Sequence, residues 1–323
     1  MKQFIITENE AGQRFDKYLA KLMKEAPKSF FYKMMRKKNI TLNGKKATGN
    51  EKLEKNDEIK IFLSDETFDK FAGHVEVKKA VCKLDVVYED EHVLFINKPV
   101  GMLSQKAKDT DESLVEYLIT YMLESGSITK EDLRTFHPSV CNRLDRNTSG
   151  IVAAGKSLAG LQKLSQLFKD RSLKKYYRCL VSGIVENEQY IKGFLYKDEI
   201  HNKVSVLSKS KDDCVLIETK YKPIERYDDC TLLEVHLITG RTHQIRAHLA
   251  SVGHPIIGDY KYGSNRINNK YKKAFGLESQ LLHAYRVEFP KLEGVLSKVS
   301  EKVFTAELPK LFDKIIDSKK NNL

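Results

Sequence analysis

Residues 141–150, read CNRLDRNTSG, are polar and charged, and they run directly into the apolar tetrad Ile151, Val152, Ala153 and Ala154. A short apolar run behind turn-forming residues reads as a buried strand, so the chain must deliver a charged loop to the end of a sheet. Asp145 stands between Arg143 and Arg146, whose cations favour its charged form, while Thr148 and Ser149 offer hydrogen bonds. Such an aspartate suits a nucleophile or a base better than a proton donor. Taken alone, an Asp before a strand is more often a turn-former, and flanking arginines are more often surface cations.

Further strands are predicted at 84–88, 93–96, 176–181, 232–237 and 284–289, in addition to 151–154. A helix follows Ser157, with Leu161, Leu164, Leu167 and Phe168 on one face. The pattern is α+β, with a mixed, largely antiparallel sheet, and it does not alternate strand and helix regularly. No internal repeat is visible, and neither G-x-x-x-x-G-K nor G-x-G-x-x-G occurs, so no seat for a nucleotide cofactor is expected. The tail from Asp317 onward reads as frayed.

Charge is distributed unevenly along the 323 residues. Eleven basic side chains against two acidic ones lie between Arg14 and Asn50, so this short segment holds nine of the net +12 charges. Concentration of that kind fits a phosphate-binding footprint better than a uniformly solvated surface. Within it, Phe15, Tyr18, Leu19 and Leu22 recur at helical spacing, and a second helix after Pro27 carries Phe31, Met34 and Met35. Ile40-Thr41-Leu42 then meets Asn43-Gly44, a pair suited to a tight hairpin turn, and Glu58 opens an alternating strand over 58–63.

Two basic helices followed by a small sheet resemble the S-four-like RNA-binding domain. That resemblance implies RNA contacts from Arg14, Lys17, Lys33, Arg36, Lys37, Lys38 and Lys45. Three units follow: an RNA-binding unit over 1–63, an aperiodic linker over 64–83 and a catalytic unit over 84–323.

The five cysteines, Cys82, Cys141, Cys179, Cys214 and Cys230, form no C-x-x-C pair, so neither a zinc site nor a disulfide framework is indicated. His243 and His248 lie five apart, which turns them about 140° from one another on a helix and removes them from the H-E-x-x-H pattern. Structural hydrogen bonds are expected of them and metal ligation is not. No apolar run approaches the roughly 20 residues of a spanning helix, and the start lacks a long apolar core. A cytoplasmic location, an RNA partner and no membrane are therefore expected.

The loop around Asp145 resembles the Arg-Leu-Asp-x-x-Thr-Ser-Gly signature of the RluA-type pseudouridine synthases. Two more segments match that family in order: 175–183, KYYRCLVSG, and 239–249, TGRTHQIRAHL, continuing through 253–259, GHPIIGD. Asn97-Lys98-Pro99 with Gly101, and Leu282-His283-Ala284, are further landmarks. Asn142 departs from the family, which usually has His there, and this puts the local geometry in question.

The resemblance implies a cofactor-free isomerase acting on RNA, with ribosomal RNA as the expected substrate and a monomer as the expected state. It assigns Asp145 as the catalytic carboxylate, Arg246 as its ion-pair partner with Arg241 as the rival, and Tyr177 as the aromatic that stacks on uracil or helps remove a proton. It gives Arg143 the space left by a flipped uridine, or else a phosphate contact. A catalytically silent RNA-binding or ribosome-assembly factor with the same fold is the alternative. A methyltransferase or zinc deaminase would need a glycine loop or H-x-E with P-C-x-x-C, and the chain has neither.

Overall fold

The computed structural model describes residues 1–73, 83–108, 110–198, 203–210 and 212–320. Its elements run β1 (Lys2–Ile5), α1 (Phe15–Leu22), α2 (Lys28–Arg36), β2 (Ile40–Leu42), β3 (Lys45–Lys46), β4 (Glu58–Ile61) and α3 (Asp65–Ala72). After these come β5 (Val86–Glu89), β6 (Val93–Lys98), α4 (Leu114–Glu124), β7 (Ser139–Val140), β8 (Ser149–Gly155), α5 (Leu158–Lys169) and β9 (Lys174–Ser182). The chain continues through β10 (Gln189–Asp198), β11 (Lys203–Leu207), β12 (Val215–Arg226), β13 (Cys230–Leu237), α6 (Gln244–Ser251) and α7 (Asn265–Phe275). It ends with β14 (Leu282–Glu288), β15 (Val303–Thr305) and α8 (Lys310–Lys320).

In the front unit, α1 buries Phe15, Tyr18, Leu19 and Leu22, and α2 buries Phe31, Met34 and Met35, against a four-stranded sheet ordered β1-β4-β2-β3. The positive φ angles of Asn43 (51°) and Gly44 (70°) make the two-residue turn that pairs Leu42 with Lys45. The edge strand β1 has no counterpart in the sequence reading. The stretch expected as a linker begins instead with helix α3, whose capping Ser64 accepts a hydrogen bond from Thr67 N at 3.2 Å. Phe68 and Ala72 are buried, and Phe68 stacks on Phe4 of β1, so α3 packs as part of the front unit. Residues 74–82 of the expected linker, including Cys82, lie outside the described residues.

Polar contacts tie the front unit to the rest of the chain. Buried Glu10 accepts from Thr135 Oγ1 at 3.0 Å, and Asn9 Oδ1 accepts from Leu158 N at 3.1 Å, at the start of α5. Arg134 Nη1 donates to the carbonyl of Gly73 at 3.1 Å, just beyond α3.

The large sheet has eleven strands in the path β11-β10-β12-β13-β9-β14-β8-β6-β5, with β15 joined to β14 and β7 to β8. Every named pair is antiparallel except β14 with β8, which gives a mixed, mostly antiparallel sheet. Strand β6 is apolar from Val93 to Ile96 because both its faces are covered. Leu94 and Ile96 pack with Leu114, Leu118 and Met122 of α4. Val93 and Phe95 pack with Leu164 and Leu167 of α5 and with Phe289 and Phe304.

Strands β10, β11 and β12 are not legible in the sequence, and β12 contains Pro223, a residue that lacks a ladder donor. The register shifts between Pro223 and Glu225, so the proline sits at an irregularity. Helix α8 corrects the expected fraying for residues 317–320, which are helical, and Phe312, Ile315 and Ile316 are buried against Tyr271 and Leu277, while residues 321–323 lie outside the described residues. Cys141, Cys179, Cys214 and Cys230 are free thiols. Among the described residues, no helix is long and apolar enough to cross a membrane.

Candidate active site

Asp145 sits in the turn before β8, its carbonyl accepting from Thr148 N at 3.0 Å. A second loop, 98–104, grips this turn from beside it. Ser104 Oγ lies 3.0 Å from both the carbonyl and the amide nitrogen of Leu144, and Gly101 N donates to the Arg146 carbonyl at 2.9 Å. Lys98, buried at the end of β6, donates to the carbonyls of Pro99 (3.0 Å), Met102 (2.8 Å) and Arg146 (3.1 Å). One ammonium therefore knits both loops. Gly150 is required where the turn enters β8: its φ is +111°, and a β-carbon there would stand 2.2 Å from the Ala284 carbonyl oxygen.

Burial pushes the Lys98 pKa down to about 8, against a partial opposing pull from Asp145. The unfolded chain, with an ordinary lysine near 10.5, binds more protons than the folded chain between these values, so this group makes stability rise with pH across that window. Lys98→Met should remove that rise. It should also cost about 3 kcal/mol near neutral pH by removing the shared donor of the Pro99, Met102 and Arg146 carbonyls, of which Arg146 keeps Gly101 N. Denaturant unfolding of both proteins between pH 7 and pH 10 checks it, and an unchanged pH slope in the variant would refute it.

Arg246, buried in α6, reaches Asp145 Oδ2 through Nη1 at 2.8 Å. Arg241, the rival, is exposed on the cleft rim and does not make this pair. The expected two-pronged contact goes elsewhere: Arg246 Nε and Nη2 bind the two oxygens of Asp259 at 2.7 and 3.0 Å. Asp259 is buried, and its Oδ1 also accepts from Lys261 N (2.9 Å) and Tyr262 N (3.1 Å). Burial alone would lower the Arg246 pKa, but Asp259 and Asp145 hold it well above the usual arginine value. The guanidinium is thus a fixed cation aimed at a carboxylate whose side chain is 26% exposed.

His243 completes the ring. It caps α6 in the left-handed region (φ 53°), with Nδ1 2.9 Å from the Tyr262 hydroxyl and Nε2 3.9 Å from Asp145 Oδ2. Burial lowers its pKa, opposed in part by Asp145. Tyr262 also lies under Arg246, 5.1 Å from ring centre to guanidinium carbon. His248, the other histidine of this helix, lies 2.9 Å from Thr219 Oγ1, so both rings make hydrogen bonds within the fold.

Asp145, Arg246 and His243 line an open cleft of about 580 Å³, a size that admits a nucleotide. Tyr177 of β9 forms part of its wall; burial, and secondarily Asp145, push its hydroxyl pKa far up, so it keeps its proton. Arg143 and Arg146 line the mouth and are exposed, with Arg146 Nε donating to the Gly101 carbonyl at 3.1 Å. Among the described residues, Asn142 makes no hydrogen bond to Asp145. Its amide donates to the Ile151 carbonyl at 3.2 Å and accepts from Ala153 N at 2.8 Å, so it closes a local strand contact.

Sequence reasoning assigns no role to Asp259, Lys98, Ser104 or Gln244. Gln244 is buried and holds the 239–241 loop, accepting from Thr239 Oγ1 (2.8 Å) and Arg241 N (3.1 Å) while donating to the Glu218 carbonyl (3.0 Å). Asp259 and Lys98 do stand inside the quoted motifs. Of the front-unit candidates, Arg14 is committed locally to Asp16 (2.8 Å) and Asn50 (2.7 Å), whereas Lys17, Lys33, Arg36, Lys37, Lys38 and Lys45 are exposed.

A carboxylate held by a locked arginine in an open cleft, behind a basic two-helix unit, is the equipment of an enzyme that works on a polyanionic chain. Residues 92–251 match the family model described as RNA pseudouridylate synthase, and residues 13–59 match the S4 domain. A protein of Vibrio cholerae named ribosomal large subunit pseudouridine synthase C is 33% identical, covering 89% of this chain and 88% of its own. The Escherichia coli K12 protein of the same name is 30% identical, with 90% and 88% covered. An RNA pseudouridine synthase of Mycoplasma genitalium is 32% identical over 97% of this chain and 98% of its own. In fold, the chain is similar to human RNA pseudouridylate synthase domain containing 4, with a TM-score of 0.58 at 21% identity over 73% of this chain and 92% of that one. The chain belongs to the RNA pseudouridylate synthase family and is an isomerase.

Proposed function

We propose that this enzyme converts specific uridines of large-subunit ribosomal RNA to pseudouridine, with Asp145 as the catalytic carboxylate. The observation that carries the reading is Asp145 itself, partly exposed in the cleft and held at 2.8 Å by an arginine locked to Asp259. The ribosomal substrate is supported by the names of the bacterial relatives.

The reaction breaks the bond from ribose C1′ to uracil N1, turns the base in place and joins C5 to C1′. The proton lost from C5 is balanced by one gained at N1, and no electron is exchanged. Asp145 can serve by attacking the sugar, adding to the base or removing a sugar proton. Arg246 orients the carboxylate that all three routes need. Tyr177, which keeps its proton, offers a flat face for the base. The uridine must leave its stack at a cost of a few kcal/mol, and Arg143 at the cleft mouth is placed to fill the gap or hold a phosphate. Arg241 contributes to RNA capture.

The remaining assignments are a monomer acting in the cytoplasm and an RNA-anchoring unit that extends through α3, with the catalytic unit beginning near Leu84. Pseudouridine mapping of large-subunit ribosomal RNA, in cells with and without the gene, tests the substrate. An identical map in both would overturn it.

The anchor is tested on the whole chain. Replacing exposed Arg36, Lys37 and Lys38 by Gln should weaken binding of large-subunit ribosomal RNA and flatten its salt dependence, by about one unit of slope for each phosphate that these side chains neutralise. Filter binding at several salt concentrations measures it. An unchanged slope would show that RNA is anchored elsewhere.

A further inference from the structure

Strand β9 carries Tyr177 into the cleft, and the alternation of a strand puts Lys175, two residues earlier, on the same face. The Lys175 ammonium lies beside the 239–241 loop: a β-carbon on Gly240 would stand 3.8 Å from its Nζ. Lys175 is half-buried, and it forms no ion pair among the described residues. Arg171, in the turn between α5 and β9, is close enough for its charge to act on Lys175. Arg241 projects from the loop itself, exposed at the cleft rim.

Neighbouring acids are already committed. Glu218 pairs with Lys192 at 3.0 Å, and Asp170 accepts from the backbone and hydroxyl of Ser172. Lys175 and Arg241 thus stand at one loop with Arg171 near Lys175, and none of the three forms an ion pair among the described residues. Burial and Arg171 both push the Lys175 pKa down, a sign that the free protein keeps this charge against resistance. Arg171 takes the left-handed position just past the end of α5 (φ 64°), where Ser172 N donates to the Leu167 carbonyl at 3.1 Å. An anion among the three cations would relieve the repulsion.

We propose that Lys175, Arg171 and Arg241 form a seat for a backbone phosphate of the RNA strand that delivers the uridine into the cleft. This rests on the reading that RNA enters the cleft, and it adds the residues that fix the strand's register there. Because the seat adjoins the Tyr177 wall, the phosphate belongs to a nucleotide next to the flipped one, and the contact carries no base preference.

The test uses full-length protein and a short fluorescein-labelled oligouridylate, titrated by anisotropy between about 50 and 200 mM salt. Lys175→Met should weaken binding roughly threefold to tenfold at low salt and reduce the salt slope by about 0.7, the share of one single-strand phosphate contact. Lys175→Arg should restore the slope, and Arg171→Met, on an exposed turn, should reproduce the loss without touching the core. Weakened binding with an unchanged slope would overturn the proposal by making Lys175 a packing residue. So would an unchanged slope in Arg171→Met if Lys175→Met did not fold. Wild-type tritium release from C5-labelled large-subunit ribosomal RNA is measured separately; failure there would sink the isomerase substrate while the slopes still report the seat.

Discussion

Asp145→Asn is expected to take pseudouridine formation below detection while leaving RNA affinity and folding close to wild type. The substitution keeps the size of the side chain and one acceptor oxygen, but it removes the charge that attack on sugar, addition to base and proton removal all require. A loss on the order of 10⁴-fold or more in turnover follows from removing a group of that kind. Affinity should persist because it comes mainly from phosphate contacts by basic residues elsewhere. Folding should persist for a reason specific to this site: Arg246 keeps both contacts to Asp259 when Asp145 is neutralised, so no cation is stranded. The stability cost should be about 1 kcal/mol, as for one partly exposed contact. Tritium release, RNA binding and thermal unfolding of purified wild type and variant would be compared. An active variant would refute the assignment of Asp145.

Sequence and structure meet most closely where chemistry is encoded in a contiguous string. The loop around Asp145 and the segment bearing Arg246 are both visible, because a turn before an apolar run and a dense basic motif need no partner to be noticed. Their meeting is not derivable from spacing: Asp145 and Arg246 are 101 positions apart, and Arg241 is an equal candidate by charge alone. The structure distinguishes them by burial, with Arg246 buried in α6 and Arg241 exposed on the rim.

Secondary structure escapes the sequence for local physical reasons. Helix α4 has no counterpart in the sequence reading, although Ser113 and Glu116 make a capping box that marks its start. Strand β12 is hidden by its polar composition and by Pro223, and it forms because both neighbours, β10 and β13, supply the ladder. Helix α7, rich in Asn and Lys, is held through a buried turn: Asn268 accepts from Gly258 N at 2.8 Å, next to Asp259. The deepest omission is Asp259. Its Gly-Asp pattern is plain in the chain, but nothing linear says that a carboxylate thirteen residues after an arginine takes that arginine's fork.

Asp259→Asn should therefore damage the enzyme more than its distance from the reacting carboxylate implies. Asp259 is buried and accepts four hydrogen bonds, two from Arg246 and two from the backbone of Lys261 and Tyr262. An asparagine can keep the backbone contacts through its carbonyl oxygen, but its amide group then faces the guanidinium donor to donor. A buried charge left without its main partner costs about 3 to 5 kcal/mol, which for a domain of this size corresponds to roughly 6 to 20 °C in melting temperature. Turnover should fall as well, because Arg246 would no longer be aimed. A misplacement of about 1 Å at a reacting group can cost on the order of 100-fold. Asp259→Glu keeps the charge but lengthens the arm, so it should recover stability more fully than turnover if aim is what matters. Calorimetry and single-turnover tritium release, run below the melting temperature of each variant, separate the two effects. Full turnover in a destabilised Asp259→Asn would reduce Asp259 to a folding residue, and a stable, active variant would show that Asp145 alone suffices to hold Arg246.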